Sequence, residues 1–258
     1  MKFFVDKVVI LTTENKVSDT WKKRYLDFFS ENTVDFFVTK GVGATQNGGN
    51  INESLLTILS HNSLDPVSKD ILKNHLKIIE NSLQDSNVKN VMILEDDAMF
   101  PDWNSEKWKR MESWLVRNEN VWDIFFLGYC QWPLLFSFMV ARDIVKLTSP
   151  LTAHAYILNR KGMEKIVHAM QIEPKRYEQH IDKIFASIPH FNKYGAFPMV
   201  SFQEKCPGLY LKACDKLGQR VLFSTWCKWN EWISLFIPIL CLIAFVIVVY
   251  IISIRYFS

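Results

Sequence analysis

Short apolar runs alternate with amphipathic stretches along most of the chain. Runs rich in β-branched and aromatic residues that end in polar segments are typical of strands. Apolar residues spaced three and four apart, with charged residues between them, are typical of helices. The pattern predicts strands over residues 8–12, 34–39, 91–94, 123–127 and 153–158, and helices over residues 18–30, 68–83 and 159–170.

The order of these elements predicts the fold class. Strands alternate with helices, and the interior strands are apolar at successive positions, which is the pattern of an α/β sheet covered on both faces. The segment KGVGATQNGGN, after the second strand, is predicted to be a loop. Ligands of such sheets bind beyond the carboxyl ends of the strands, so the residues that follow each strand are candidates for chemistry.

A different apolar pattern occurs near the end of the sequence. No charged residue occurs from Trp232 to Ile254, which is about the length that an α-helix needs to cross a hydrocarbon core. Trp229 and Tyr256 flank the run, as interfacial anchors do. A buried helix of a globular protein is the alternative interpretation. The pattern favours a single transmembrane helix over about residues 233–254.

The charges beside this run predict its orientation. Basic residues are numerous before the run, and Arg255 follows it alone. Cytosolic flanks of membrane helices carry the excess of Lys and Arg. We therefore expect a tail-anchored membrane protein, with a globular domain over residues 1–228 facing the cytosol and an anchor over residues 229–258. The N-terminal segment lacks the unbroken apolar core of a secretory signal. The basic residues before the run are Lys205, Lys212, Lys216, Arg220 and Lys228.

Composition narrows the classes of function. Of 258 residues, 49% are hydrophobic and 22% are charged, which suits one globular domain with a sizeable core. The net charge of +3 is too small to indicate nucleic acid as a partner. The five cysteines form no CxxC pair and have no histidine at zinc spacing, so they favour reduced thiols over a structural zinc site. A disulfide between Cys206 and Cys214 stays open as an alternative.

Three consecutive acids follow the apolar strand predicted over residues 91–94. Glu95, Asp96 and Asp97, here called the acidic triplet, stand where a ligand of an α/β sheet would bind. An acidic solvated turn is the simpler interpretation. However, carboxylates held side by side repel one another, and a hard divalent cation such as Mg²⁺ or Mn²⁺ relieves that repulsion.

The backbone conformation of the acidic triplet decides the role of each carboxylate. In an extended segment Glu95 and Asp97 point to the same side and Asp96 to the other. This alternation predicts Glu95 and Asp97 as the metal-facing pair, with Asp97 as the direct ligand. Asp96 would instead bind the ribose of a nucleotide or a backbone amide. A turn that begins at Asp96 would rearrange these roles.

Six segments occur in an order that resembles a known family. They are KNHLKIIENSL, VMILEDDAMF, WDIFFLG, LTAHAYILNRKGMEKI, HIDKIFA and PMVSFQEK. Together they resemble glycosyltransferase family 25, which includes bacterial lipooligosaccharide galactosyltransferases, collagen galactosyltransferases and relatives in large DNA viruses. The chain departs from that family at LTTENKVSD, where the family has an Arg-rich loop, and at Asn74, where it has a Ser.

The resemblance implies a fold and a reaction. It implies a GT-A-like, Rossmann-type domain that uses a UDP-sugar as donor and a divalent metal, Mn²⁺ or Mg²⁺. A hexose, galactose or glucose, would pass to a hydroxyl of a glycan, glycolipid or glycoprotein acceptor, with inversion at the anomeric carbon. Such a displacement requires a general base that takes the proton of the acceptor hydroxyl.

The resemblance also implies site residues. Asp182 matches the late Asp of the family and is the candidate base, with His180 as a second candidate. The alternative for Asp182 is a helix cap or an ion pair. Thr12 and Thr13 stand at the loop near which the family contacts the nucleotide, and His75 is expected to line the donor site or merely to pack. The remaining candidate is Gln203, which would bind a sugar hydroxyl or a loop backbone.

One further histidine lies near these candidates. His154, between two alanines on a predicted strand, is expected to be a core histidine with satisfied ring nitrogens.

Two other functions compete with an active glycosyltransferase. A catalytically inactive, membrane-anchored relative would bind a nucleotide-sugar or serve as a scaffold, and the altered first loop favours it. A metal-dependent phosphoesterase would also place acids at a strand end, but no second acidic cluster of the usual kind accompanies the triplet.

Overall fold

The computed structural model describes residues 4–13, 23, 34–39, 64–100, 104–131, 137–173, 180–203, 236 and 239–253. The strands in these residues are β1 (Lys7–Thr13), β2 (Val34–Thr39), β3 (Asn90–Glu95), β4 (Ala98–Met99), β5 (Ile124–Phe126), β6 (Cys130–Gln131), β7 (Phe138–Ala141), β8 (Ile144–Leu147), β9 (Pro150–Leu151), β10 (Ala155–Asn159), β11 (Lys193–Ala196) and β12 (Phe202–Gln203). The helices are α1 (Pro66–Gln84), α2 (Ser105–Arg117), α3 (Arg160–Ile172) and α4 (Ile181–Ser187).

A mixed eight-stranded sheet forms the centre of the fold, in the order β2-β1-β3-β10-β5-β11-β8-β7. Strand β1 is parallel to β2 and to β3, and β5 is parallel to β11. Strand β10 runs antiparallel to both of its neighbours. The predicted α/β class with a central sheet is confirmed, although the sheet is not wholly parallel.

The direction of β10 brings its amino end to the edge of the sheet at which β1, β3 and β5 end. The carboxyl ends of β1, β3 and β5 lie at one edge of the sheet, because these strands run the same way. Since β10 runs the other way, the residues just before it reach the same edge. This edge therefore collects the ends of β1, β2, β3, β5 and β11 together with the start of β10, and the acidic triplet is among them.

Two apolar layers cover the faces of the sheet. Successive residues of β3 face opposite sides, so Val91 and Ile93 belong to one layer while Met92 and Leu94 belong to the other. Helices α1, α3 and α4 contribute to the first layer, and α2 contributes to the second. Burial on both faces is the reason why β3 is an unbroken apolar run.

Side-chain caps define where two of the long helices begin. Asp65 precedes α1, and its carboxylate accepts hydrogen bonds from the backbone N–H of Val67 at 3.0 Å and of Ser68 at 3.1 Å. Asn159 precedes α3, and its side-chain oxygen accepts from Gly162 N at 2.7 Å. Both caps satisfy N–H groups that have no partner within the helix.

The predicted elements that fall on described residues are found close to their predicted bounds. The helix predicted over residues 68–83 is α1, and the helix predicted over residues 159–170 is α3. The predicted helix over residues 18–30, apart from residue 23, and the glycine-rich loop lie outside the described residues.

The C-terminal run is described only in part. Residues 236 and 239–253 are helical and exposed, and the rest of the span predicted over residues 233–254 lies outside the described residues. In the part of the chain that the structure describes, no helix has both the length and the apolar character required to span a membrane. The transmembrane helix stays a prediction.

Candidate active site at the carboxyl edge of the sheet

The acidic triplet forms a sharp turn and not an extended segment. Glu95 is the last residue of β3, Asp96 and Asp97 make the turn, and the chain then enters β4. Strand β4 pairs with β12, which places Gln203 opposite Ala98. Because the turn begins at Asp96, the side-to-side alternation expected of the triplet does not apply, and each carboxylate has its own surroundings.

Glu95 points inward, and two side chains hold its carboxylate. Its Oε1 lies 3.2 Å from Nε2 of His75, and its Oε2 accepts a hydrogen bond from Nε2 of Gln203 at 3.4 Å. The Glu95 side chain is only 23% exposed. Glu95 is therefore embedded in the edge of the sheet.

Opposing influences act on the ionisation of Glu95. Burial, the strongest of them, acts to raise its pKa. The hydrogen bond and the field of His75 act against burial, and the field of His154 and the hydrogen bond from Gln203 add to them. The result is a lowered pKa, so Glu95 is a carboxylate at neutral pH.

A buried hydrogen-bonded chain supports Glu95 from the core. His75 is fully buried, and its Nδ1 lies 2.8 Å from the hydroxyl of Tyr156 on β10. Burial, followed by the charge of Glu95, raises the pKa of Tyr156 well above its usual value, so its hydroxyl stays a donor. A tautomer with the proton on Nε2 fits both contacts, because the ring then accepts from Tyr156 and donates to Glu95.

Asp96 joins two neighbouring strands. Its Oδ2 accepts a hydrogen bond from the hydroxyl of Thr12 at 3.2 Å. Thr12 is 2% exposed at the carboxyl end of β1. Thr13 ends the same strand, and its side chain lies outside the described residues. Asp97 is half-buried, with Oδ1 enclosed by protein.

His154 lies behind the acidic triplet. Its backbone oxygen accepts a hydrogen bond from Glu95 N at 2.7 Å. The ring is buried, as a core histidine was expected to be, but neither ring nitrogen forms a hydrogen bond of good geometry. Burial lowers the pKa of His154 to about 4 against the opposing effects of Glu95 and the Ser201 backbone, so the ring is neutral at pH 7.

Asp182 lies beside the loop that leads into β10. Its Oδ2 accepts from Thr152 N at 3.1 Å, and its Oδ1 accepts from Lys183 N at 2.7 Å. Thr152 has a positive φ of 71°, so the bond to Asp182 stabilises an uncommon backbone conformation. His180 is exposed at the start of α4, and its side chain caps no N–H of that helix. Asp182 lies in the first turn of α4 and is not its N-cap, so its side chain instead holds the loop before β10.

The site brings together most of the residues singled out in the sequence. Four of them, Glu95, Asp96, His75 and Gln203, form hydrogen bonds with one another or with Thr12. Tyr156 is a fully buried core residue, and its support of the site through His75 is apparent only from the structure. An alternation of polar and apolar positions carries no signal for a contact between residues 81 positions apart.

A divalent cation would find oxygen donors at this turn. The carboxylates of Asp96 and Asp97 are hard ligands of the kind that Mg²⁺ and Mn²⁺ prefer. Among the described residues, no group of three or more His, Cys, Asp or Glu side chains is arranged to hold a metal ion. The donor set fits a cation that takes one or two protein carboxylates and completes its shell with phosphate and water.

Comparisons with known proteins yield only distant likenesses. No family model matches the chain, and no curated protein matches it. A197 from STIV is 9% identical with a TM-score of 0.38, over 73% of this chain and 81% of that chain.

Two other solved structures are about as distant. A glycosyltransferase involved in the glycosylation of the major capsid of PBCV-1 is 10% identical with a TM-score of 0.37, over 73% of this chain and 80% of that chain. A UDP-glucose pyrophosphorylase complexed with UDP-glucose is 11% identical with a TM-score of 0.41, over 82% of this chain and 81% of that chain. Likenesses at this distance assign neither a family nor a substrate.

Proposed function

We propose that the chain is a metal-assisted glycosyltransferase of the GT-A type, similar to family 25. It would transfer galactose or glucose from a UDP-sugar to a hydroxyl of a glycan, glycolipid or glycoprotein, with inversion. The observation that carries the proposal is the acidic triplet, which forms a half-buried turn at the carboxyl edge of the central sheet, beside Thr12. Ligands of open α/β sheets bind at this edge.

We assign different tasks to the carboxylates of the triplet. Asp97 and Asp96 would hold the divalent cation. Glu95, which the sequence pattern pairs with Asp97, has both oxygens engaged by His75 and Gln203. We therefore place Glu95 behind the cation, where its charge adds to the negative potential of the site. A bound cation supplies charge neutralisation for the diphosphate of the donor as UDP departs.

Asp182 stays the proposed general base, with His180 as the second candidate. Each carboxylate oxygen of Asp182 accepts one backbone amide. An ionised carboxylate has about four acceptor positions, so these two bonds leave room for the hydroxyl of an acceptor sugar. The same two bonds hold the carboxylate in one orientation, which favours proton transfer in a defined direction.

The test uses the full chain, Mn²⁺ and a panel of UDP-sugars, with release of UDP as the readout. We expect metal-dependent hydrolysis or transfer that falls by about 100-fold in Asp97→Asn, since a charged group at the reacting phosphates is removed. The matched control is Glu164→Gln, which neutralises an exposed carboxylate on α3. Equal activity of Asp97→Asn and the wild-type chain would refute the assignment.

A catalytically inactive relative is the second candidate. Backbone amides donate to both oxygens of Asp182, and a structural role is sufficient to explain this geometry. The observation therefore favours an inactive relative. Metal-dependent binding of UDP-sugar without release of UDP, for every donor and acceptor offered, would select this candidate. Release of phosphate from model esters without a sugar donor would select a phosphoesterase.

We also propose that residues 229–258 attach the chain to a membrane with residues 1–228 in the cytosol. The support is the uncharged run from Trp232 to Ile254 and the basic residues that precede it. Resistance to carbonate extraction, together with digestion of the globular domain by protease added to sealed membranes from the cytosolic side, is the expected result. Complete extraction by carbonate would contradict it.

A further inference from the structure

A basic cleft lies beside β8, four strands along the sheet from the β3 strand that ends in the acidic triplet, on the face that α2 covers. Its volume is about 330 Å³, and it lies between α2 and the turn that joins β7 to β8. Four cationic side chains line it, and no acidic side chain does. The indole of Trp114 forms part of the wall. The cations are Lys109, Arg110, Arg117 and Arg142.

Two of these cations have acidic partners. Nε of Arg110 donates to Oδ2 of Asp143 at 2.6 Å, and Nζ of Lys109 donates to Oε1 of Glu106 at 2.8 Å. The Lys109 pair is largely exposed, so it contributes little and is easily exchanged for another anion. The Arg110 pair connects α2 to the turn after β7 along one wall of the cleft.

The other two cations face no acidic side chain among the described residues. Nε of Arg117 donates to the backbone oxygen of Ser113, one turn earlier in α2. Arg142 is exposed and forms no hydrogen bond or ion pair with the described residues. The four cations and their two acidic partners therefore leave a net charge of +2 (four minus two) at the cleft.

An exposed apolar strand continues directly into this cleft. Strand β7 lies at one of the two edges of the sheet formed by the described residues, and Phe138, Met139 and Val140 are 56%, 41% and 43% exposed. Three consecutive exposed apolar residues present both faces of the strand. The next residues, Ala141 and Arg142, line the cleft. An apolar patch beside cations is typical of a surface that binds something.

We propose that β7 and the basic cleft together form a surface that docks on an anionic lipid bilayer. The phosphate of a lipid headgroup would occupy the cleft beside Arg117 and Arg142, and the side chains of Phe138, Met139 and Val140 would enter the boundary between headgroups and acyl chains. This orientation would hold the globular domain against the membrane and is independent of the proposed glycosyl transfer.

The combination of cations and exposed apolar side chains favours a bilayer over a soluble anion or a second copy of the chain as the occupant of this surface. A soluble anion would use the cations and leave the apolar strand in water. A second copy of the chain, paired through β7, would cover the strand but would bring two basic clefts close together. An anionic bilayer offers phosphates and an apolar layer at adjacent depths, which matches the two halves of this surface.

The test measures hydrogen–deuterium exchange in the full chain on vesicles. One set contains phosphatidylcholine alone, and the other also contains phosphatidylserine. Because any attachment through residues 229–258 is common to both sets, the difference between them reports on the docking surface. We expect the amides of β7 to exchange more slowly on the anionic vesicles.

A double variant and a matched control distinguish binding through this surface from non-specific electrostatic attraction of the protein to the bilayer. A cation near an anionic surface contributes about fivefold to the bound-to-free ratio, so Arg117→Gln with Arg142→Gln would lower that ratio about 25-fold. In this double variant the β7 exchange should return to the rate seen on phosphatidylcholine. The matched control is Lys89→Gln, which removes an exposed cation at the amino end of β3 and should leave the protection unchanged.

Three outcomes would overturn the proposal. The first is identical exchange of β7 on the two vesicle sets. The second is protection of β7 in detergent without lipid that increases with protein concentration, which would indicate a second copy. The third is protection of α2 by inorganic phosphate alone with β7 unchanged on anionic vesicles, which would indicate a soluble anion.

Discussion

Replacement of His75 by leucine tests whether the acidic edge is supported from the core. His75 is fully buried between the Tyr156 hydroxyl, 2.8 Å from Nδ1, and the Glu95 carboxylate, 3.2 Å from Nε2. Leucine has a similar volume but no hydrogen-bonding atom, so the variant removes both contacts and leaves only a small change in packing. The Tyr156 hydroxyl then loses its hydrogen-bond partner, and Glu95 loses one of the two side chains that hold its carboxylate.

The size of the effect follows from these two contacts. Loss of a hydrogen bond to a charged group reduces stability by about 1.5–3 kcal/mol, and a buried hydroxyl without a partner by about 1–3 kcal/mol. We therefore expect His75→Leu to lower the free energy of unfolding by about 4 kcal/mol near neutral pH. In the double variant with Tyr156→Phe, the second loss disappears, so part of the stability should return.

The pH dependence of this loss of stability identifies the part that comes from the charge of Glu95. In the wild-type chain the pKa of Glu95 is lowered, so its contribution to stability is present above about pH 4.5, its ordinary value, and is lost as the pH falls through the native pKa. Without His75, burial dominates and the native pKa of Glu95 rises above that value. The ionised form then destabilises the variant at higher pH. The difference between the two proteins should be largest near pH 7 and smaller near about pH 4.

The measurement is urea-induced unfolding of the full chain in a mild non-ionic detergent, followed by tryptophan fluorescence. Wild type, His75→Leu and the double variant with Tyr156→Phe are compared near pH 7 and near about pH 4. The reasoning is refuted if His75→Leu loses the same stability at both pH values. It is also refuted if the double variant is no more stable than the single one.

Three other substitutions test separate parts of the fold and site by urea unfolding and UDP release. In Gly128→Ala the added Cβ would lie 2.2 Å from the backbone oxygen of Ser201, so we expect a loss of at least about 2 kcal/mol, and unchanged stability would contradict the close approach. In Lys165→Met the fully buried Asp123 loses the nearer of its two lysine partners, whose Nζ lies 2.7 Å away, with an expected loss of about 3 kcal/mol; unchanged stability would contradict a contribution of this ion pair. In Asp182→Asn the amide oxygen can accept only one of the two backbone N–H groups, so we expect a loss of stability of about 1–3 kcal/mol. A general base predicts in addition a fall in turnover of about 100-fold, whereas a purely structural role predicts nearly normal turnover of the folded protein.

Much of the fold follows from the order of apolar and polar residues. The strand predicted over residues 91–94 is β3 (Asn90–Glu95), and the strand predicted over residues 34–39 is β2 with the same bounds. A strand covered on both faces must be apolar at every position, and a helix covered on one face must be apolar every third or fourth position. These requirements are local, so the sequence alone locates the acidic triplet at the end of a central strand.

Local pattern does not encode the order or direction of the strands. Strand β10 was predicted from its apolar residues, but its antiparallel direction, which carries His154 to the edge of the sheet where the acidic triplet lies, depends on the pairing with β3 and β5. The β7–β8 hairpin was not predicted, and the apolar residues of β7 do not indicate that this strand lies at the rim of the sheet with its side chains exposed. Which strand lies at the rim of the sheet is a property of the whole assembly.

That three acids stand at a strand end within an α/β protein follows from neighbours along the chain. Which of these acids faces inward depends on packing between distant segments. Glu95 is held by His75, twenty residues earlier, and by Gln203, 108 residues later, while Asp96 joins Thr12. The ionisation of a buried carboxylate is a balance between burial and the polar groups around it, and those groups are brought together only by packing.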